Sequence, residues 1–236
     1  TGKMKLGGRL AIMVVNAAKF TLVFETSVTE ATVTEPIDQA MLLELADVVR
    51  GATLAFENYD HTKALELTDT FFWNFTDDYL ELVKERAYGQ GGVSPQAQAS
   101  AVIALRRALH VMLRLLAPFL PFATEEVWSW WQDGSIHRAT WPTDRELTED
   151  LDASYHGLLS LASTALVGVR KAKSDAKVSM KAEIDSAVIS APAEVLTSIR
   201  LLESDLRAVG KIAELGFQEG SQLEVSQVMF AEISED

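Results

Sequence analysis

A long apolar run between Ala101 and Trp131 constrains the fold of this chain more than any other segment. Within it, large apolar side chains recur at steps of three or four residues, which places them along one face of a helix. These side chains are Val102, Leu105, Leu109, Met112 and Leu116. Pro118 then stops or kinks the helix, because proline lacks an amide hydrogen and clashes with the preceding turn. A face of this length needs other helices to cover it, so the run predicts a helical bundle.

The residues after Pro118 predict a buried corner and a short second helix. Thr124, with Glu125 and Glu126 behind it, has the composition of a helix cap followed by an acidic first turn. This helix would end in the tryptophan-rich segment 128–131.

The remainder of the first 150 residues has the same helical periodicity. After a glycine-containing lead-in at 1–8, the pattern predicts a helix from Arg9 to about Ser27. Two more helices are predicted over about 37–58 and 62–88, the latter with a break near residues 73–74. Glycines and a proline in 89–95 indicate a loop, after which the central helix begins.

The pattern changes after residue 142. Residues 135–142 look extended and half-buried, and an acidic linker over 143–152 marks the predicted boundary between a bundle (1–150) and a second unit (151–236). That unit begins with a helix to about Lys171, followed by a charged loop from Lys173 to Lys181. A strand, a helix ending at Gly210 and two strands follow. The predicted fold class is therefore mainly α, with a small β-α-β-β subdomain of α+β type at the end.

Composition excludes several classes of protein. The chain has no cysteine, which rules out disulfides and thiolate metal sites, and no apolar run is long enough to span a membrane. The net charge of −13 argues against general nucleic-acid binding. The positive charge is nevertheless clustered in two segments, 1–20 and 163–182, and two basic patches on an acidic body remain compatible with a polyanionic partner.

Polar residues on the first predicted helix are candidates for RNA contact. Arg9, Asn16 and Lys19 lie on or beside a face that the apolar residues do not use. This face is either solvated or presents a guanidinium, an amide and an ammonium to RNA. The acidic pairs of the chain are explained by helix-end electrostatics rather than by catalysis.

Two further sets of residues can also be interpreted either as structural or as RNA-binding. The aromatic cluster in 71–75 either packs in the core or stacks on bases. Arg107, His110 and Arg114 line up on the central helix as either a solvated basic stripe or a set of phosphate contacts. No phosphate-binding glycine loop, metal-binding histidine pair or recognisable Ser-His-Asp signature is present in the sequence. The residues by themselves thus favour a helical binding or interaction module.

Four segments of the chain resemble the valyl-tRNA synthetases among the class I aminoacyl-tRNA synthetases. They are NAAKF at 16–20, YLELVK at 79–84, LAPFLPFATEEVW at 116–128 and SIHRATWP at 135–142. The last two occur in looser form in the isoleucyl, leucyl and methionyl enzymes. The resemblance implies an anticodon-binding helical bundle from residue 9 to about 150, followed by a small α/β unit.

The resemblance also implies a function. The parent valine–tRNA ligase joins valine to its tRNA with ATP and Mg²⁺ and edits mischarged threonine. The implied tRNA-binding candidates are Arg9, Asn16, Lys19 and Phe20, with Arg107 and Arg114 second and Arg170, Lys171, Lys173 and Lys177 along the tRNA backbone. Of these, only Asn16 to Phe20 belong to a motif of the family, and Phe20 serves either RNA contact or packing.

Both ATP-site signatures of the family, His-x-Gly-His and Lys-Met-Ser-Lys-Ser, are missing, and the segment 177–181 is only superficially similar to the second. We therefore expect a C-terminal part of a longer enzyme that has no cofactor and no activity of its own. The expected partners are tRNA and an upstream catalytic domain. We also expect a cytoplasmic monomer with no membrane contact. The alternatives are a structural or protein-interaction module and the equivalent domain of an isoleucyl-type enzyme.

Overall fold

The first part of the chain is a bundle of helices. The computed structural model describes residues 2–25, 28 and 32–231, with side chains from residue 7 onward. The helices of this part are α1 (Gly2–Leu22), α2 (Pro36–Glu57), α3 (His61–Asn74), α4 (Leu80–Ala87), α5 (Pro95–Leu116), α6 (Pro121–Trp128) and α7 (Arg145–Thr148). A π-helical segment, Phe75–Tyr79, joins α3 to α4, and a short 3₁₀ helix, Ile136–Arg138, follows α6.

The second part combines helices with a three-stranded sheet. A 3₁₀ turn (Ala153–Tyr155) leads into α8 (Leu158–Asp175). Then come β1 (Ile184–Ala191), α9 (Ala193–Ile199), a 3₁₀ turn (Arg200–Leu202), α10 (Glu203–Gly210), β2 (Ile212–Glu219) and β3 (Glu224–Phe230). The strand order is β2-β1-β3, with β1 parallel to β2 and antiparallel to β3. A parallel pair needs a crossover, which α9 and α10 supply. The predicted mainly α fold with a terminal β-α-β-β unit is confirmed.

The central helix α5 is the packing centre of the bundle. Its predicted apolar stripe is almost fully buried, and α5 contacts α1, α2, α3, α4 and α6. The Ser94 hydroxyl accepts the Ala97 amide hydrogen at 3.1 Å, and Pro95 occupies the first turn, where its missing amide hydrogen costs nothing. The helix therefore begins at Pro95, one residue before the predicted start that follows the loop 89–95.

The main apolar core includes residues from both sides of position 150. Helix α8 packs on α2, and α10 packs on α4. The division of the chain at residues 150/151 stays a prediction.

The limits of the first helix differ from the prediction. The helix begins at Gly2 instead of Arg9 and ends at Leu22, while Ser27 lies outside the described residues. The glycines at positions 7 and 8 only weaken a helix, by about 1 kcal/mol each relative to alanine, and do not stop it. Beyond the helix, Arg106 donates a hydrogen bond to the Phe24 carbonyl oxygen at 2.6 Å, which a sequence pattern does not reveal.

The predicted cap of the short helix was also wrong. Helix α6 begins at Pro121, and Thr124 lies inside it with its hydroxyl donating to the Leu120 carbonyl oxygen at 2.9 Å. Proline is preferred in the first turn, so Pro121 determines where this helix begins. The extended segment predicted for 135–142 instead starts with the 3₁₀ turn Ile136–Arg138.

The predicted charged loop from Lys173 to Lys181 begins too early, because α8 continues through Asp175. The predicted break in the third helix is real, but it takes the form of the π-helical segment immediately after Asn74. This segment orients Tyr79 inward, where its hydroxyl donates to Asp38 at 2.8 Å. No helix in the described part of the chain is both long enough and apolar enough to cross a membrane.

Candidate nucleic-acid interface

The outer face of α1 presents polar side chains to solvent. Arg9, Asn16 and Lys19 are exposed, and Ile12 beside them is 63% exposed. The opposite face is buried, and α1 packs on α5 and α6. The helical period thus divides α1 into a packing face and a free polar face, as its sequence predicts.

Arg9 is held by an aromatic ring that its sequence position does not identify. Its guanidinium carbon lies 4.8 Å from the ring centroid of Trp73, within the range of a cation–π contact. The Trp73 indole N–H donates to Asp69 at 3.0 Å, which fixes the ring. The other rings of this aromatic cluster, Phe71, Phe72 and Phe75, are buried, so core packing accounts for them.

Phe20 belongs to a surface aromatic cluster. Its ring centroid lies 4.9 Å from that of Phe24 and 6.2 Å from that of Tyr88, both in edge-to-face geometry. Phe24 and Tyr88 are in turn 4.8 Å apart, and Tyr88 is 48% exposed. Packing therefore accounts for one side of Phe20, and because the ring is only partly buried, both predicted roles stay open.

The two arginines of the stripe on the central helix differ in burial, because Arg107 is half-exposed and Arg114 is buried. Arg107 makes two hydrogen bonds to Asp150, at 3.0 and 3.2 Å, on the surface. These hydrogen bonds lower the pKa of Asp150, and their effect exceeds the opposing effect of burial. Arg107 would have to leave this carboxylate in order to contact a phosphate.

Arg114 is only 6% exposed and has no free face for RNA. Its guanidinium donates to Glu146 at 2.6 Å, to the Thr140 carbonyl oxygen at 3.3 Å and to the His110 carbonyl oxygen at 3.1 Å. The predicted phosphate contact of Arg114 is therefore corrected. This side chain fastens the 140–146 segment to α5, because a buried guanidinium needs local acceptors.

His110 completes this buried corner. Its ring stacks on Trp128, with centroids 4.9 Å apart, and lies edge-to-face with Trp131. Burial lowers the pKa of His110, and the neighbouring Arg114 lowers it further. The imidazole is thus neutral near pH 7 and carries no charge for a phosphate.

The basic residues in and just after α8 also have different environments. Lys171 and Lys177 are exposed, whereas Arg170 donates to the Asp78 carboxylate at 2.7 Å and to the Asp77 carbonyl oxygen at 2.6 Å. Lys173 is only 2% exposed and donates to the carbonyl oxygens of Met180 and Gly210, at 3.0 and 2.9 Å. Burial lowers its pKa, and nearby Lys211 adds to this effect. The predicted direct contact of Lys173 with tRNA is therefore corrected.

The structure thus brings Arg9, Asn16, Lys19 and Phe20 together on α1 and places the other basic candidates of residues 170–177 in and just after α8. Sequence reasoning missed Trp73 as the partner of Arg9 and Tyr88 as the partner of Phe20. Charge and helical period carry no signal for either pairing. Within the ranges 2–25, 28 and 32–231, no group of three or more metal-binding side chains is placed to hold an ion.

Comparisons of this sequence with known proteins indicate a region of a tRNA ligase. A family profile described as the anticodon-binding domain of tRNA ligases matches residues 38–189. The valine–tRNA ligase of Leifsonia xyli subsp. xyli is 48% identical over 236 residues, covering 99% of this chain and 27% of that protein. That of Thermobifida fusca is 50% identical over 221 residues, covering 92% and 24%. That of Salinispora arenicola is 47% identical over 234 residues, covering 91% and 27%.

The chain spans about a quarter of the length of these relatives. Among solved structures, an Agrobacterium radiobacter K84 LeuRS–tRNA–LeuAMS ternary complex aligns with 95% of this chain and 26% of its own. Its TM-score of 0.39 and sequence identity of 15% are too low to support a conclusion.

Proposed function

The chain belongs to the anticodon-binding domain family of tRNA ligases, and from this premise we propose that it is the tRNA-recognition region of a longer valine–tRNA ligase. In that enzyme, ATP and Mg²⁺ serve the joining of valine to tRNA, and we assign no residue of this chain to them. The observation that carries the proposal is the exposed polar face of α1, where Asn16 and Lys19 lie beside the partly buried ring of Phe20.

This face offers the chemistry that a single-stranded RNA loop requires. The Asn16 amide both donates and accepts hydrogen bonds, so it can read a base edge, and an aromatic ring such as Phe20 can stack on an unstacked base. Arg9 and Lys19 supply charge for phosphates. The contact with Trp73 holds Arg9 in place before RNA binds, which reduces the entropy lost on binding.

The net charge of −13 does not oppose this role, because residues 1–20 contain four basic residues and no acidic one. Arg9 and Lys19 place positive charge on the exposed face of α1, which favours RNA binding on that side of the protein. We further propose that the protein is a cytoplasmic monomer whose catalytic domain is the neighbour of this region.

A titration of the chain with a tRNA-Val transcript tests the proposal. Binding should weaken steeply as salt is raised, because each phosphate contact releases counterions. The double variant Arg9→Ala with Lys19→Ala should bind more weakly with little change in melting temperature. A matched control, Lys63→Ala with Arg145→Ala, removes the same charge outside this face. If both double variants weaken binding equally, α1 is not the tRNA-binding face. If the Arg9→Ala, Lys19→Ala variant does not fold, these two residues are structural.

Two alternatives give different results in the same experiments. A protein-interaction module, which the acidic charge favours, would bind no tRNA at low salt. The equivalent region of an isoleucyl-type enzyme would prefer a tRNA-Ile anticodon over that of tRNA-Val. Valine-dependent ATP–pyrophosphate exchange by this chain alone would contradict the proposal that catalysis resides in another domain.

A further inference from the structure

A groove of about 580 Å³ separates α4 from the loop after α8 and from α10. Its lining includes three exposed lysines, Lys84, Lys181 and Lys211. An adjoining groove of about 270 Å³ shares Glu81, Met180 and Val209 with it. Together they form a channel between the helical bundle and the α+β unit, which we call the lysine channel.

The lysine channel contains positive charge that the protein does not neutralise. Among the residues that the structure describes, Lys173, Lys181 and Lys211 have no carboxylate within ion-pair distance, whereas Lys84 lies 3.4 Å from Glu81. Lys173 lies in the adjoining groove, and its buried ammonium is held by carbonyl oxygens alone. A buried cation that has only neutral partners, with Lys211 close to it, favours an anion in the channel.

The lysine channel is connected to the face of α1. Tyr88, which lines the channel, is the same side chain that contacts the rings of Phe20 and Phe24. Phe20 lies next to Lys19 in the chain and belongs to the proposed anticodon site. Tyr88 therefore borders both the channel and the aromatic cluster of Phe20, so the two surfaces adjoin.

We propose that the lysine channel binds phosphates of the tRNA anticodon stem next to the loop, with Lys181 and Lys211 as the contacting residues. This inference rests on the proposed function and adds a second RNA-binding site to it. The channel also contains Glu81 and Glu85. Glu81 is paired with Lys84, whereas Glu85 has no cationic partner in the described part of the chain. Glu85 therefore opposes the phosphates and limits affinity.

The test uses a 17-nucleotide anticodon stem-loop of tRNA-Val and the full 236-residue chain. We expect Lys181→Ala with Lys211→Ala to weaken binding at low salt and to reduce the salt dependence. Raising the salt from 50 to 200 mM weakens RNA binding. The loss of two phosphate contacts should make this weakening about tenfold smaller. The control pair Lys63→Ala with Arg145→Ala changes the net charge equally outside the channel. It should leave the salt dependence unchanged.

A second variant is expected to act in the opposite direction. Glu85→Gln removes a negative charge without removing bulk, so it should tighten binding of the stem-loop severalfold. If the unmodified chain binds and neither channel variant changes the affinity or the salt dependence, the channel is excluded while the proposed function stands. If the unmodified chain binds no tRNA, both fail. If the lysine variants weaken binding of whole tRNA but not of the stem-loop, the assignment to the anticodon stem is overturned.

Discussion

Arg86 donates a hydrogen bond from Nε to the carboxylate of Asp205, 119 residues further along the chain, at 3.0 Å. The same guanidinium donates to Asp38 at 2.6 and 2.9 Å, so one arginine joins α4 to α2 and to α10. Tyr79 and Ser100 also donate to Asp38. All these side chains are buried, and the resulting network connects the bundle to the unit that carries the sheet.

Replacing the central cation should destabilise the whole fold. Arg86→Met leaves Asp38 and Asp205 buried without their positive partner, and we expect a loss of about 3–5 kcal/mol in the free energy of unfolding. Urea denaturation followed by circular dichroism measures this loss. Arg107→Met removes a half-exposed arginine from an ion pair with Asp150 and should cost about 1 kcal/mol or less. Equal losses would contradict the role given to the buried network.

The stability should depend on pH through Asp205. Burial raises the pKa of this carboxyl from 3.8 to about 6, despite the opposing effect of Arg86. The folded state therefore holds the proton more tightly than the unfolded state, and the contribution to stability is lost as pH rises through about 6. Relative to Asp205→Asn, the unmodified chain should lose stability between pH 4 and 6, on the order of 2–3 kcal/mol. Urea titrations at pH 4, 5, 6 and 7 measure this difference, and a constant value would exclude the shift.

Truncation in the central helix should show how much stability its apolar stripe contributes. Leu109 is 2% exposed, so Leu109→Ala removes buried contacts and leaves a cavity. The expected loss is about 2–5 kcal/mol in the free energy of unfolding, measured by urea denaturation. Leu54→Ala, at a position 60% exposed on α2, provides the control and should change stability by about 0.5 kcal/mol or less. A small effect at Leu109 would mean that the bundle core is looser than the structure shows.

Two glycine-to-alanine replacements should have opposite effects on stability. A Cβ atom at Gly168 would lie 2.8 Å from Cγ2 and 3.1 Å from Cβ of Val225, so Gly168→Ala forces α8 away from β3 and should cost about 1–3 kcal/mol. At Gly8 nothing lies within 4 Å of the new atom. Gly8→Ala should therefore stabilise α1 by up to about 1 kcal/mol. Thermal melts of both variants measure the signs, and stabilisation by Gly168→Ala would refute the close packing of α8 on the sheet.

A structural feature can be predicted from the sequence when the interaction that decides it is local. Ser94 and Pro95 lie at the start of α5 itself, and the predicted start, directly after the loop 89–95, is only one residue late. The buried states of Arg114 and Lys173 were not predictable, because their acceptors come from segments remote from each residue's own helical face. A basic stripe has the same spacing whether its charges meet water, a carboxylate or RNA.

The sequence by itself determined the helical bundle, the β-α-β-β order and the polar face of α1, because the 3.6-residue period assigns each side chain to the inside or the outside of its helix. The family motifs are also short, local stretches of sequence, and they identified the kind of domain without any tertiary information. Only the tertiary structure decided which cations remain free. It paired Arg86 with Asp205, buried Lys173 and brought Tyr88 from the end of α4 against Phe20 of α1. These contacts join residues that are distant in the sequence. Their partners depend on how the helices pack together, and a local sequence pattern contains no information about that packing.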